Sequence, residues 1–321
     1  MAYFLDPFLV IMKANSMREG NIMKEQKILN AVKEMRISWK ENDDKRDSGL
    51  PHDIPEVTRV DDLQYGEDPK WNLLDLYLPK NVKGKIPVII NIHGGGWVYG
   101  TKETYQFYGL GMAKRGFAFV NPNYKLGPEV KFPKELDQVN EYIHWVADHA
   151  DEYNLDKNNV FLIGDSAGGQ MAEQYTAILT NPKYREKFGY TLTDLKFRAV
   201  ALNSPATFIK DPGMIGNGTL AYFDPEVMKS AKNQDLIDVE KYITEDFLPT
   251  FISTANEDFI HDCVVRLDGF LRAKGIEVIQ KSWGDEKHPE PHVFLINQKD
   301  ELAKEANDEE AEFFRKHLVK D

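Results

Sequence analysis

Apolar residues in this chain fall into short, mostly continuous runs that alternate with segments of helical spacing. Runs of this length without polar alternation are typical of strands that are covered on both faces, as in a parallel sheet. The sequence predicts such strands at 86–92, 117–122, 159–164, 197–203, 249–254 and 277–282. It also predicts two earlier strands, at 57–65 and 71–79.

The strand predicted at 71–79 has a different pattern, because leucines alternate with Asp75 and Tyr77. Alternation places apolar side chains on one face of a strand and polar ones on the other. The pattern therefore favours a strand at the sheet edge with one face in water.

Helices are predicted between the strands, because apolar residues recur there every three or four positions. The stripes are Leu136, Val139, Ile143 and Val146; Met171, Tyr175 and Leu179; Val264, Leu267 and Leu271; and a last helix over about 299–318. Strands that alternate with helices indicate an α/β fold. We expect a mostly parallel sheet of about eight strands, with helices on both faces and a helical cap.

Two segments depart from this rhythm. Residues 21–40 have helical spacing, and the charged stretch 41–49 is expected to be a solvated loop. The apolar face of this helix is predicted to contain Ile22, Leu29, Val32, Met35 and Trp39. We therefore expect an N-terminal helical cap segment over 1–50 and a main α/β domain over 51–321.

The connection 204–248 is too long for a simple link between strands, which predicts a lid or cap insertion.

The composition narrows the class of protein. The 321 residues are 42% hydrophobic with 18 Phe, 14 Tyr and 5 Trp, enough to bury a large core. The net charge of −12 repels phosphate backbones, so we expect no nucleic-acid partner. The sequence leaves the oligomeric state open, with a homodimer among the options.

Cellular location is predicted from three features. The single cysteine, Cys263, excludes an intrachain disulfide and favours a reducing compartment. The apolar stretch 4–12 lacks a basic region before it and is interrupted by Asp6 and Pro7, so it does not have the pattern of a signal peptide. No run approaches the ~18 apolar residues of a membrane span. We expect a cytoplasmic protein.

A Gly-x-Ser-x-Gly motif, Gly164 to Gly168, joins the strand at 159–164 to the next helical stripe. A serine at the tip of a sharp strand-to-helix turn takes strained backbone angles, which requires small residues two positions to either side. The motif predicts a nucleophile elbow with Ser166 at its tip. Alone it is weak, because an ordinary glycine turn before a helix has the same pattern.

A second motif, His93-Gly94-Gly95-Gly96-Trp97, follows the strand at 86–92. Consecutive glycines let backbone N–H groups converge on one point, which is what a developing oxyanion needs. The motif also lies at the carboxyl end of a strand, where sheets of this kind place their sites. A phosphate-binding Walker loop is excluded, because Thr101 separates Gly100 from Lys102.

A serine nucleophile needs a base, and the base needs an orienting carboxylate. After Ser166 the sequence offers both in that order. Asp258 follows the strand at 249–254 and is favoured as the acid, with Glu257 as the alternative. His292 lies between the last strand and the last helix and is favoured over His288 as the base.

Together with Asn123-Tyr124-Lys125-Leu126-Gly127-Pro128-Glu129, these motifs resemble the α/β-hydrolase esterases of the hormone-sensitive-lipase type. The resemblance covers about residues 56–320 and is close to the bacterial branch that includes acetyl and feruloyl esterases. It implies Ser166 as nucleophile, His292 as base and then acid, and Asp258 as the orienting acid. It also implies an oxyanion hole formed by the amides of Gly95, Gly96 and Ala167, with Gly94 as an alternative.

The resemblance implies a serine carboxylesterase that cleaves small short-acyl or aromatic-acyl esters without a cofactor or metal. A peptidase or lipase on the same fold is the first alternative, and a non-catalytic ligand-binding relative is the second. The chain departs from the family pattern where Phe259-Ile260 replaces Pro-Leu after the acid and where Val293 follows His292 in place of Gly.

Overall fold

Eight strands form a single sheet within residues 7–320, the part of the chain whose backbone is described by the computed structural model; side chains are described for 22–320. The strand order is β1-β2-β4-β3-β5-β6-β7-β8, with β2 antiparallel to both neighbours and the other pairs parallel. The strands are β1 Val57–Gln64, β2 Leu73–Pro79, β3 Ile86–Ile92, β4 Ala118–Pro122, β5 Leu155–Asp165, β6 Phe197–Asn203, β7 Thr250–Ala255 and β8 Val278–Trp283.

Helices cover both faces of the sheet, as the alternating pattern predicts. One core lies between the sheet and the helices that carry the three predicted apolar stripes, and a second lies between the opposite face and the second and last helices. The helices are α1 Pro7–Asp47, α2 Lys102–Lys114, α3 Lys134–His149, α4 Ser166–Thr180, α5 Pro182–Phe188, α6 Pro225–Met228, α7 Ala231–Leu236, α8 His261–Ala273 and α9 Glu301–Lys316. The predicted α/β fold is confirmed.

The predicted edge position of β2 is wrong. This strand lies between β1 and β4, and both Asp75 and Tyr77 are buried. The charge of Asp75 is tolerated there because the Lys102 ammonium lies 2.9 Å from its carboxylate. A buried ion pair can therefore give a strand the same alternating sequence pattern as a solvent-exposed face.

The loop predicted over 41–49 is also wrong, because α1 continues to Asp47. Arg46 pairs with Asp43 at 2.7 Å and with Asp47 at 2.6 Å, and the Tyr99 hydroxyl donates to Asp43 at 2.6 Å. These partners neutralise charges that would otherwise favour solvent, so the last turns stay helical.

The predicted apolar face of α1 is only partly correct. Val32 is buried and Met35 packs beside it, whereas Ile22 and Leu29 are exposed. Residues 1–6, and the side chains throughout the apolar stretch 4–12, lie outside the described residues. Within 7–320, no helix combines the length and apolarity that crossing a membrane requires.

The long connection 204–248 contains α6, α7 and two short 3-10 helices, Asn217–Ala221 and Val239–Tyr242. The first of these packs against α1, where Val32 meets Ala221 and Val98 in a small apolar cluster. Met35 fills the space beside Gly218 so closely that an added Cβ there would lie 2.3 Å from its sulfur. The connection and α1 thus meet above the carboxyl end of the sheet.

Candidate active site

Ser166 lies at the sharp turn where β5 ends and α4 begins, with φ +50°. This left-handed conformation is strained for a residue with a side chain. The turn also needs glycine on both sides. A Cβ on Gly164 would lie 2.3 Å from the carbonyl oxygen of Gly168, and one on Gly168 would lie 2.0 Å from that of Ile92. The local structure is the sharp turn that the motif predicts.

A chain of hydrogen bonds joins Ser166, His292 and Asp258. The Ser166 Oγ lies 2.9 Å from His292 Nε2, and His292 Nδ1 lies 2.7 Å from Asp258 Oδ1. The three side chains come from the ends of β5 and β7 and from the loop after β8. The parallel sheet therefore brings together groups that lie up to 126 positions apart in the sequence.

The surroundings of Asp258 favour its ionised form. Burial would raise its pKa, but the hydrogen bond and charge of His292, together with hydrogen bonds from Ser204 and the Ile260 amide, outweigh burial and lower the pKa to about 2. Thr254 Oγ1 donates to Oδ2 at 2.8 Å, and the Ile260 amide donates to Oδ1 at 3.1 Å. A fixed carboxylate at this point holds Nδ1 of the imidazole as the protonated nitrogen and leaves Nε2 to accept the serine proton.

The two alternative candidates lie away from this chain of hydrogen bonds. Glu257 is exposed, and only its backbone takes part in the bridge to residues 290–291. The His288 side chain is 72% exposed and lies 3.6 Å from Asp285. Neither side chain contacts Ser166 or His292 in the described structure.

The glycine loop after β3 leaves two amides without partners. Gly95 has φ +119° and Gly96 has φ +58°, and among the described residues no acceptor bonds to either amide. Ala167 adds an amide from the first turn of α4, where N–H groups lack intrahelical acceptors. In the described structure these N–H groups are free to bind an acceptor.

Gly94 does not fit this set. Its N–H already donates to Asp165 Oδ1 at 2.9 Å and lies 3.0 Å from the Tyr105 hydroxyl oxygen. An added Cβ on Gly94 would lie 2.2 Å from the Asp165 carboxylate. Gly94 is therefore a packing point between the two loops rather than a free donor.

Asp165 and Tyr105 are site residues that the sequence reasoning missed. Asp165 directly precedes Ser166, and its Oδ2 accepts the Tyr105 hydroxyl at 2.7 Å. Burial raises the pKa of this carboxyl to about 6, although Tyr105 and Gly94 favour its ionised form. These bonds join the glycine loop to the serine turn and fix the distance between the free amides and the Ser166 Oγ.

His93, at the start of the glycine loop after β3, holds this loop against Tyr124. Its ring is fully buried and stacks on Tyr124 with ring centroids 4.1 Å apart, and the Tyr124 hydroxyl donates to the His93 carbonyl at 2.5 Å. Burial lowers the pKa of His93 to about 4, so the ring is neutral at physiological pH. In the sequence, the one signal for this role of Tyr124 is its place in the stretch Asn123–Glu129, which resembles the esterase family.

Helix α1 contacts the glycine loop from above. A Cβ on Gly96 would lie 3.3 Å from the Trp39 ring and 3.8 Å from Thr219 of the long connection. Arg36 donates to the carbonyls of Val98 at 2.7 Å and Gly127 at 2.9 Å. It also forms two 2.8 Å hydrogen bonds to the carboxylate of Glu129.

Comparison with known proteins places this geometry in a family. The BD-FAE family model matches residues 74–262, more than half of the chain. An alpha/beta hydrolase of Acanthamoeba polyphaga mimivirus is 34% identical over 137 residues, which are 42% of this chain but only 39% of that protein. The chain thus spans well under two thirds of the length of this relative.

Two longer matches cover most of the chain. Carboxylesterase NlhH of Mycobacterium tuberculosis is 26% identical over 238 residues, 71% of this chain and 74% of that protein. The crystal structure of esterase B from Lactobacillus rhamnosis, inhibited by a tributyrin phosphonate, has a TM-score of 0.83 and 24% identity, and the match covers 91% of this chain and 96% of that one. The chain belongs to the BD-FAE family and has the α/β-hydrolase fold.

Proposed function

We propose that this protein hydrolyses carboxylic esters through a covalent acyl-serine intermediate. The observation that carries the proposal is the chain of hydrogen bonds from Ser166 Oγ through His292 to a buried, ionised Asp258. The amides of Gly95, Gly96 and Ala167 complete the constellation that acyl transfer requires.

Acylation begins when the Ser166 Oγ attacks the ester carbonyl carbon while His292 Nε2 accepts the serine proton. The carbonyl oxygen becomes an oxyanion, which the free amides stabilise by hydrogen bonds. His292 then returns the proton to the alkoxide oxygen as the C–O bond breaks, so the alcohol leaves neutral. Deacylation repeats these steps with water as nucleophile and Ser166 as leaving group.

We expect short-acyl or aromatic-acyl esters as substrates. A side chain at Gly96 would meet the Trp39 ring and Thr219, which supports a narrow site. We also propose that α1, within the segment 1–50, and the connection 204–248 act as a cap over the α/β catalytic domain 51–321. The four hydrogen bonds of Arg36 support that role, because they anchor α1 to the loops beside the site. The single cysteine, Cys263, supports a cytoplasmic location.

The direct test is a Ser166→Ala variant assayed with p-nitrophenyl acetate and a fluorophosphonate probe. Wild type should turn over the ester and be labelled by the probe, and the variant should do neither. Full turnover by the variant would refute the role of Ser166. An unlabelled, inactive wild type would instead indicate a ligand-binding relative.

The reaction class is tested by a panel of acetyl, butyryl, octanoyl and feruloyl esters with a peptide anilide. We expect the highest kcat/KM among the acetyl, butyryl and feruloyl esters. A preference for octanoyl esters would indicate a lipase, and a preference for the anilide would indicate a peptidase.

A further inference from the structure

Phe259 is an exposed aromatic residue whose ring packs against His292, the proposed general base. It follows Asp258 in the chain, and its ring lies 4.5 Å from the His292 ring, centroid to centroid, at an angle of 52°. It is nevertheless 79% exposed, more than any other large hydrophobic residue in the described part of the chain. Because this ring lies in water beside the proposed general base, a substrate bound there can cover it.

The proposed mechanism determines which part of the substrate would meet this ring. His292 Nε2 must donate its proton to the leaving alkoxide oxygen, so that oxygen must come within about 3 Å of Nε2. The group attached to it, which is the alcohol part of the ester, then lies beside the imidazole. The acyl part is instead fixed by its carbonyl oxygen, which points toward the amides of the glycine loop and Ala167.

We propose that Phe259 selects the alcohol part of the ester and favours alcohols with an aromatic or extended apolar group. This inference rests on the ester hydrolase function proposed above. Such a group would cover the exposed ring and exclude water from it. Stacking between aromatic rings makes a contribution beyond area burial that corresponds to roughly 3- to 10-fold in kcat/KM.

A purely structural role of Phe259 would give a different result. If Phe259 served only to hold the His292 ring in place, its removal would slow the reaction of every ester equally. A specificity role predicts a loss confined to esters whose bulk lies on the alcohol side. Two isomeric substrates separate these cases: benzyl acetate carries its ring on the alcohol, and methyl phenylacetate carries the same ring on the acyl group.

The test compares wild type with Phe259→Ala and Phe259→Tyr, following acid release from both isomers. Phe259→Ala should lose roughly 3- to 10-fold in kcat/KM for benzyl acetate and stay within about 2-fold for methyl phenylacetate, whereas Phe259→Tyr should keep both values. The pH profile for methyl phenylacetate should be unchanged in both variants. Leu192→Ala, at an exposed leucine in the connection between α5 and β6, is the matched surface control and should match wild type on both substrates.

Two results would overturn the inference while leaving the ester hydrolase function intact. One is an equal loss on both isomers in Phe259→Ala, which would mean that the ring only positions His292. The other is no loss on either isomer, which would mean that the ring does not contact the alcohol. If wild type cleaves neither isomer nor p-nitrophenyl acetate, the proposed function itself fails and the inference fails with it.

Discussion

Replacing Asp258 by asparagine tests the orienting carboxylate while keeping its shape. His292 Nδ1, the Thr254 hydroxyl and the Ile260 amide donate to this group, and the Ser204 hydroxyl also favours its ionised form. Asparagine can keep its oxygen toward His292 and Ile260 and turn its NH₂ toward the Thr254 oxygen. In that orientation the imidazole keeps its tautomer, and only the negative charge is lost.

The pKa of Asp258 sets the size of the expected loss. The native site lowers this pKa from 3.8 to about 2, and His292 supplies the largest of the favourable interactions. At about 1.4 kcal/mol per pH unit, this corresponds to about 2–3 kcal/mol, or on the order of 10- to 100-fold in rate for steps that form an imidazolium. If the NH₂ instead faces His292, the wrong tautomer forms and a loss of about 10⁴ is expected by analogy with serine protease triads.

The assay is kcat/KM for p-nitrophenyl acetate at pH 7.5. Asp258→Asn should lose at least about 10-fold, whereas the neighbouring exposed Glu257→Gln should stay within about 2-fold of wild type. Circular dichroism shows whether both variants are folded. A folded Asp258→Asn protein that keeps more than a tenth of wild-type activity would refute the reasoning, as would an equal loss in Glu257→Gln.

Three further outcomes follow from packing and burial. Gly168→Ala should fail to fold or lose all activity, because its Cβ would lie 2.0 Å from a carbonyl oxygen. Gly269→Ala is the matched control, since Gly269 lies on α8 with open space around it. That variant should raise the free energy of unfolding by about 0.5–1 kcal/mol in urea denaturation. Arg36→Ala should destabilise the protein by about 1–2 kcal/mol and increase limited proteolysis of α1, because backbone carbonyls lose a charged donor. Burial raises the pKa of Glu310 from 4.5 to about 7, so the folded state binds its proton more tightly and this carboxyl alone should lower the free energy of unfolding by about 3 kcal/mol between pH 4.5 and 7. Urea titrations at both pH values should show a smaller decrease in Glu310→Gln.

The sequence alone predicts the sheet well, because the strands at its centre are buried on both faces and so appear as continuous apolar runs. Predicted and observed strands agree within one or two residues at most ends; β5 differs most, beginning at Leu155 rather than 159. The turn at Ser166 is also a local feature, since its steric demands fall on Gly164 and Gly168. Local pattern is sufficient where the cause of the structure is local.

Sequence reasoning fails where a residue's partner lies far away in the chain. Asp165 meets Tyr105 across 60 positions, and neither residue carries a pattern that announces the other. The charged residues Asp75 and Asp43 predict exposure to solvent when only the sequence is known. In the fold, Lys102 neutralises Asp75, and the Tyr99 hydroxyl donates a hydrogen bond to Asp43 at the end of α1. The same limit applied to Gly94, whose amide is indistinguishable in the motif from its neighbours until Asp165 is seen to accept its hydrogen bond.

The attachment of α1 has a consequence for how the chain is assembled during synthesis. Arg36 finds its acceptors 62 to 93 positions later in the sequence, and the 3-10 helix that packs on Val32 and Met35 is later still. Protein leaves the ribosome from its N-terminus at about 5–20 residues per second, so α1 emerges several seconds before its partners exist. Helix α1 is therefore made before the sheet and the 3-10 helix that it packs against, and Val32 lacks its apolar partners Val98 and Ala221 until they have been made.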